Sequence, residues 1–334
     1  MAKLIARRLA FGVLIVWLVS VIVFLATQLL PGDAARELLG RYATPASVAY
    51  LQNEMHLNEP ALQQYLHWLS DLVTGHWGKS LVSQDSVAAI VGNGVKYTGL
   101  EMILTTLIAT PIALAVGSLS AMRSEGALDQ VLSVLTLILV ALPAFVIAIA
   151  LVFVLATTVF HVLPATSLVG SSQPFWSQLE YVILPTATLV LAVVPYPIRM
   201  IRASMVEVLR SDYVSLARLH GISERRVIFR HALPNAIATT VQVTALNLVF
   251  LAGGVVVVEN VFNYPGIGYA FVQAVNDRDI PTIQTIVVVL AIFYVLVNLV
   301  ADVLVVLVTP RLRVGAAKAT PRLEDVPLSL EPMA

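Results

Sequence analysis

The chain has no cysteine, which excludes disulfide staples, thiolate metal sites and thiol nucleophiles within it. Charge is scarce: 12% of the 334 residues are charged, where a soluble globular chain carries about 25%. Lys plus Arg and Asp plus Glu each number twenty, and no nucleic-acid partner is expected. Neither His-x-x-x-His nor His-Glu-x-x-His spacing joins His56, His67, His76, His161, His220 and His231, so these histidines read as isolated interfacial or loop residues, not metal ligands. No Gly-x-Ser-x-Gly nucleophile turn occurs. Gly78-Lys79-Ser80 imitates the end of a phosphate-binding loop, yet the upstream position that needs glycine is Val73. The chain is therefore expected neither to bind ATP nor to be an enzyme.

What is abundant is apolar surface. Hydrophobic residues make up 58% of the chain, more than a single soluble core hides, since such cores stop growing at roughly 250–300 residues. A membrane span needs about 20 apolar residues. The run Leu9–Leu30 supplies 22 without a charge; it is too long for a signal peptide and no small-residue cleavage site follows. Further runs are Met102–Ala121, Val131 to about Leu155, Tyr181–Ile198, Ala236–Val258 and Pro281 to about Val308, which makes six spans. Pro111, Pro143, Pro185, Pro195 and Pro197 fall in or near them and read either as rocking hinges or as static kinks.

Basic residues set the orientation. Seven arginines, Arg199, Arg202, Arg210, Arg218, Arg225, Arg226 and Arg230, lie between spans four and five, whereas Phe160–Leu179 has no basic residue. Lys3, Arg7, Arg8 and Arg123 fall on the same side, as do Arg311, Arg313, Lys318 and Arg322, so both termini are expected in the cytoplasm. The outer stretch from Pro31 to Tyr97 reads as small helices. Thr44-Pro45 starts one. Another begins near Pro60, carries Leu62, Tyr65, Leu66, Leu69 and Val73 on an apolar stripe expected to pack on the bundle, and stops at Gly75. Val314–Ala334 reads as a disordered cytoplasmic tail. The chain thus divides into residues 1–98, a core at 99–313 with a cytoplasmic loop at 199–235, and the tail 314–334.

Of the carboxylates near the spans, Glu101, Glu180 and Glu259 sit at expected span ends, and Asp302 lies inside one. Asp302 shares a helix face with Asn298. It reads either as a coupling-ion site or as half of an interhelical bond near the cytoplasmic end, with Arg311 or Arg313.

The loop between spans four and five carries the strongest functional signal. Asp212 is placed to cap a helix over Tyr213–His220, Gly221 to end it in a left-handed turn, Ser223 to cap a second helix and Pro234 to stop it. Leu216, Leu219, Ile222, Val227 and Phe229 are too many apolar residues for a solvated loop, and Ala217 and Gly221 allow close backbone approach. The compact elbow reads as a plug for a partner's groove or as a basic loop on anionic headgroups.

This loop resembles the cytoplasmic signature of ABC importer permeases, Glu-Ala-Ala-x-x-x-Gly followed by nine residues and Ile-x-Leu-Pro. Ser215, Leu216, Ala217, Gly221, His231, Leu233 and Pro234 hold those positions; Ser215, Leu216 and His231 depart from the general consensus. Ala217-Arg218, Gly221 and Arg230–Leu233 match the peptide-importer branch. The likeness extends through Leu30-Pro31-Gly32-Asp33, Gly78-Lys79-Ser80-Leu81, Glu259-Asn260-Val261-Phe262, Pro265-Gly266-Ile267-Gly268, Arg278-Asp279-x-Pro281-x-x-Gln284 and Pro310-Arg311-Leu312-Arg313. All are similar to the B-type permease subunit of dipeptide/oligopeptide importers, with Thr309 standing where that family often has Asp.

The resemblance implies an all-α, six-span type I importer permease in a bacterial plasma membrane. It implies a second homologous permease subunit, two cytoplasmic ATPases holding ATP and Mg, and an external binding protein delivering substrate, with no cofactor in this chain. Ser215, Leu216, Ala217, Gly221, His231, Leu233 and Pro234 would couple to the ATPase. Glu259, Phe262, Pro265 and Gly266 would close the external gate or dock the binding protein, although Pro265-Gly266 also fits a plain tight turn. Peptides are the expected cargo, with nickel chelates, glutathione or haem as alternatives. A polytopic membrane enzyme or an ion-coupled carrier using Asp302 would be a different class.

Overall fold

The computed structural model describes residues 2–29, 44–54, 58–167, 169 and 175–308. The Leu30–Asp33 motif, Thr309, Pro310–Arg313, the tail and His56 lie outside the described residues. Thirteen α-helices are present among those described: α1 Ala2–Gln28, α2 Pro45–Glu54, α3 Ala61–Thr74, α4 Val87–Met122, α5 Ala127–Ala141, α6 Ala144–Leu151, α7 Leu179–Val193, α8 Pro195–Leu209, α9 Asp212–Leu219, α10 Glu224–Val227, α11 Leu233–Phe262, α12 Ile267–Asn276 and α13 Ile280–Val308.

Unbroken segments at 5–28, 87–122, 239–262 and 280–306 are long and apolar enough to cross a bilayer, and the bent pairs α5–α6 and α7–α8 bring the number to six where each pair is counted as one span. The two bends differ for a local reason. Leu142, before Pro143, is pushed into extended geometry (φ −87°, ψ 127°), and α5 and α6 diverge by 105°. Val194, before Pro195, stays helical (φ −63°, ψ −34°), and the bend is only 41°. Pro111 and Pro185 lie inside continuous helices. The expected division after residue 98 falls within α4, because hydrogen bonding along the helix continues past the polar residues that end the apolar run.

The core is built from α4, α7, α8 and α11, with Met102, Ala113, Leu189, Ile201, Met205, Leu251, Val255 and Phe262 packed together. Small residues set the spacing. A Cβ on Gly117 would lie 2.8 Å from the Ile198 carbonyl, so α4 and α8 touch backbone to backbone. Likewise α1 lies along α13, where a Cβ on Gly12 would meet Val295.

Outside the spans, Thr44 starts α2 as expected: its hydroxyl accepts from the Ser47 N–H (3.1 Å) while its own N–H donates to Ser47 Oγ (2.9 Å). Helix α3 ends at Gly75 in left-handed geometry (φ 83°). Only part of its apolar stripe packs on the bundle. Tyr65 meets Phe24 of α1 edge to face and Trp68 packs on it at a tilt, and the Tyr65 hydroxyl lies 2.9 Å from Ser20 Oγ, whereas Leu62, Leu66 and Val73 stay exposed.

Candidate functional site

The loop at one end of the bundle forms the expected elbow. Helix α9 starts one residue earlier than its sequence suggests: Ser211 holds the cap position and Asp212 is the first helical residue. The Ser211 hydroxyl turns back to donate to the Val208 carbonyl (2.5 Å), which leaves the Asp212 carboxylate to favour the positive helix start. Gly221 ends α9 with φ 76°, and the Ile222 N–H closes the turn onto the Ala217 carbonyl (3.1 Å). Ser223 takes the cap position of α10 as expected, through its backbone rather than its hydroxyl.

Arg218 fixes the angle of the elbow. Its Nε and Nη2 donate to the two carboxylate oxygens of Glu224 (3.0 and 2.6 Å), and Nη1 donates to the Leu209 carbonyl at the end of α8 (3.2 Å). That hydrogen bond holds the Glu224 carboxyl below its usual range. Val214 and Val227 are buried beneath the elbow, while Leu216, Leu219 and Phe229 project outward, Leu219 being 86% exposed. Ser215 is exposed, and Ala217 and Ile222 are half-buried.

Pro234 does not stop the second helix. A π-type turn over Ile228–Ala232 leads directly into α11, and Pro234 sits in the first turn of that helix. There the missing N–H costs least, and the wider turn takes up the register change. Leu233 opens α11, and His231 lies in the π-type turn. Because α11 has 30 residues, its far end lies about 45 Å from the elbow.

At that far end Glu259 is fully buried. Its carboxylate accepts from the Thr98 hydroxyl of α4 and from the N–H groups of Gly268 (2.7 Å) and Tyr269 (3.1 Å). Thr98 Oγ1 in turn accepts from the Ile267 N–H (2.9 Å). A side chain of α11 thus caps the start of α12, a role usually filled by the residue next to the helix. Gly266 is selected by space, not by φ: a Cβ there would overlap the Glu259 carboxylate. A Cβ on Gly94 would lie 2.8 Å from Ile267 Cα. Phe262 is fully buried, Pro265 is half-buried, and the Phe262 carbonyl accepts from Ser167 (2.7 Å). Glu259 and Phe262 present no side chain outward in this conformation; they hold α4, α11 and α12 together.

Two more of the motifs meet nearby. Asp279 is buried and accepts from Ser80 Oγ (2.5 Å), the Leu81 N–H (3.1 Å) and Thr282 Oγ1 (2.7 Å). Gln284 donates to Thr27 of α1 (2.7 Å). Ser80 and Leu81 of the Gly78–Leu81 motif thus form a latch for Asp279.

Some residues escaped sequence reasoning. Glu101 is not at a span end but fully buried within α4, and neither carboxyl oxygen has a hydrogen-bond partner among the described residues. On the elbow side, buried Asp129 of α5 receives Arg202 of α8 through Nε (2.5 Å) and Nη2 (2.6 Å), and also Ser120 Oγ and the Glu125 N–H. Asp302 pairs with Arg8 of α1 (2.9 Å); Arg311 and Arg313 lie outside the described residues. An interhelical bond at Asp302 is therefore present, to Arg8, and among the described residues Asn298 donates to its own helix at Tyr294.

The family described as "Binding-protein-dependent transport system inner membrane component" matches residues 113–314, and its N-terminal companion matches residues 1–116. The chain belongs to the permease subunits of ABC importers. Such a permease is a non-catalytic, multi-pass membrane subunit; ATP hydrolysis resides in a partner ATPase, and a substrate-binding protein is a further partner. The permease is 35% identical over 313 residues to the probable peptide ABC transporter permease protein y4tP of Sinorhizobium fredii, covering 94% of this chain and 100% of that one. It is 33% identical over 314 residues to the glutathione transport system permease protein GsiC of Escherichia coli K12, covering 94% and 99%. Its fold is similar to an inward-facing structure of the MetNI methionine ABC transporter, with a TM-score of 0.53 at 18% identity over 66% of this chain and 96% of that one. The expected all-α type I permease fold accords with that likeness.

Proposed function

We propose that this permease imports di- and oligopeptides, small peptides such as glutathione included, across a bacterial plasma membrane. It does so as one half of a heterodimer with a homologous permease. Two ATPases dock on the elbow side, which is cytoplasmic and holds both termini, and an external binding protein delivers substrate to the far side. ATP and Mg belong to the ATPases, and this chain needs no cofactor. The core, 99–313 by sequence together with the start of α4 from Val87, forms the translocating unit, with the residues before α4 as an addition and 314–334 as a tail.

One observation carries the mechanism: a single continuous helix, α11, joins the elbow to the Glu259 clasp. Exposed Leu216, Leu219 and Phe229 offer the knobs that an ATPase groove would receive, and buried Val214 and Val227 tie those knobs to the bundle. Closure of the ATPases on ATP pushes the elbow, α11 moves as a rod, and the clasp shifts α12 and the start of α4 to open the outer gate. Hydrolysis restores the inward-facing arrangement. Peptide cargo is supported by the likeness to y4tP and GsiC.

Gly221→Asp tests the coupling. Nothing lies within 4 Å of a Cβ at this position, and φ is 76°, a conformation that Asp tolerates better than most residues. The variant should insert normally and lose ATPase association and ATP-dependent peptide uptake in reconstituted vesicles. Normal association and uptake would overturn the docking reading. Uptake of a nickel chelate or haem in place of labelled peptides would keep the machinery and change the cargo.

A further inference from the structure

We propose that the groove between α5 and α8 binds the phosphate headgroup of an anionic phospholipid from the leaflet on the elbow side. The groove encloses a cavity of about 380 Å3 lined by Ser133, Val134 and Leu137 of α5 and by Arg199, Arg202 and Ala203 of α8. Its two guanidiniums differ. Arg202 gives Nε and Nη2 to buried Asp129, which neutralises its charge and fixes its plane, while Nη1 remains for a ligand. Arg199, one turn earlier, has no hydrogen bond or ion pair among the described residues. The groove therefore carries one uncompensated positive charge beside a preoriented donor, the pattern that receives a phosphate.

The walls distinguish an amphiphile from a soluble anion. Val134 and Leu137 are 56% and 57% exposed, and Val131 and Ile138 continue the apolar face along α5. With each bent pair counted as one span, this exposed face would meet acyl chains and the arginines would stand where the headgroup layer ends. A polar floor under an open apolar wall suits a lipid that keeps its tails in the bilayer.

The test uses the assembled transporter in nanodiscs, with phosphatidylglycerol, phosphatidylethanolamine and inorganic phosphate as probes, read by native mass spectrometry. Phosphatidylglycerol should be retained in preference to phosphatidylethanolamine and should not be displaced by millimolar phosphate. Arg199→Gln should reduce its retention about fivefold, and Arg199→Lys should keep most of it. Leu137→Gln, which leaves both arginines in place, should also weaken lipid retention. Equal retention in wild type and Arg199→Gln would overturn the proposal. So would displacement by phosphate, which would make this a soluble-anion site. Release of a protein subunit in Arg199→Gln with lipid retention unchanged would overturn it in favour of a protein interface.

Discussion

Glu259 offers a perturbation whose size follows from which atoms it bonds. Both backbone donors, Gly268 and Tyr269, reach the same oxygen, Oε2, while Thr98 reaches Oε1. A glutamine can place its single carbonyl oxygen at the Oε2 position and serve both N–H groups. Its amide nitrogen then faces the Thr98 hydroxyl, which rotates to accept. Glu259→Gln should therefore cost no more than about 1 kcal/mol, the net worth of one rearranged hydrogen bond. Glu259→Ala leaves two buried N–H groups without an acceptor at about 1–3 kcal/mol each and removes side-chain packing besides. Its cost should be at least about 2 kcal/mol. Thermal unfolding of the two variants in nanodiscs, followed by peptide uptake at a temperature where both are folded, separates the cases. Glutamine should preserve stability and uptake, and alanine should lower both. If glutamine proves as damaging as alanine, the group matters for its charge and not as a cap, and the clasp reading fails.

Gly266→Ala should destabilise the same end, because its Cβ displaces the Glu259 carboxylate; an unchanged unfolding temperature would refute this. Asp302→Asn breaks a partly exposed pair with Arg8 and should cost about 0–1 kcal/mol with uptake retained, whereas abolished uptake with ATP present would revive an ion-carrier role. Asp129→Asn should destabilise the permease more than Asp302→Asn, because it leaves Arg202 bonded to an uncharged partner in a largely buried site; parity in unfolding temperature would refute the contrast. The Glu224 carboxyl is held below its usual range by Arg218, so its small contribution is complete above the ordinary glutamate range. It fades as pH falls through the depressed value. ATPase association should weaken there in wild type more than in Glu224→Gln.

The sequence made some features visible because they are local. Long apolar runs marked the spans, the left-handed stop at Gly75 followed from helix periodicity ending at glycine, and the elbow turn at Gly221 followed in the same way. Charges misled where they truncated a run: α4 begins at Val87, well before the apolar stretch that suggested it, so Glu101 lies inside the fold and not at its rim. Helix hydrogen bonding is indifferent to side-chain charge, and hydropathy is not. Pro234 misled for a related reason, since a proline ends a helix only when no wider turn precedes it. The remaining contacts are tertiary. Arg202 and Asp129 lie 73 positions apart and Arg8 and Asp302 lie 294 apart, separations at which no local pattern announces a pair. The Asp279 latch was half legible, since both of its segments stood out as motifs without any sign that they touch.

The clasp also orders events during synthesis. Thr98 and Glu259 are separated by 161 positions, which a ribosome working at about 5–20 residues per second takes roughly 8–30 s to add. For that interval α4 stands in the membrane with Glu101 and Thr98 facing no finished neighbour, at a penalty below the roughly 2.5–3.5 kcal/mol of an acidic group at the centre of a lone helix, since both lie toward the outer end. The nascent helix gains by staying beside the insertion machinery or by keeping its polar face wet until α11 and α12 emerge. The outer end of the bundle is consequently completed late, and a chain truncated before residue 259 should be a poor membrane resident and an early target for quality-control proteolysis.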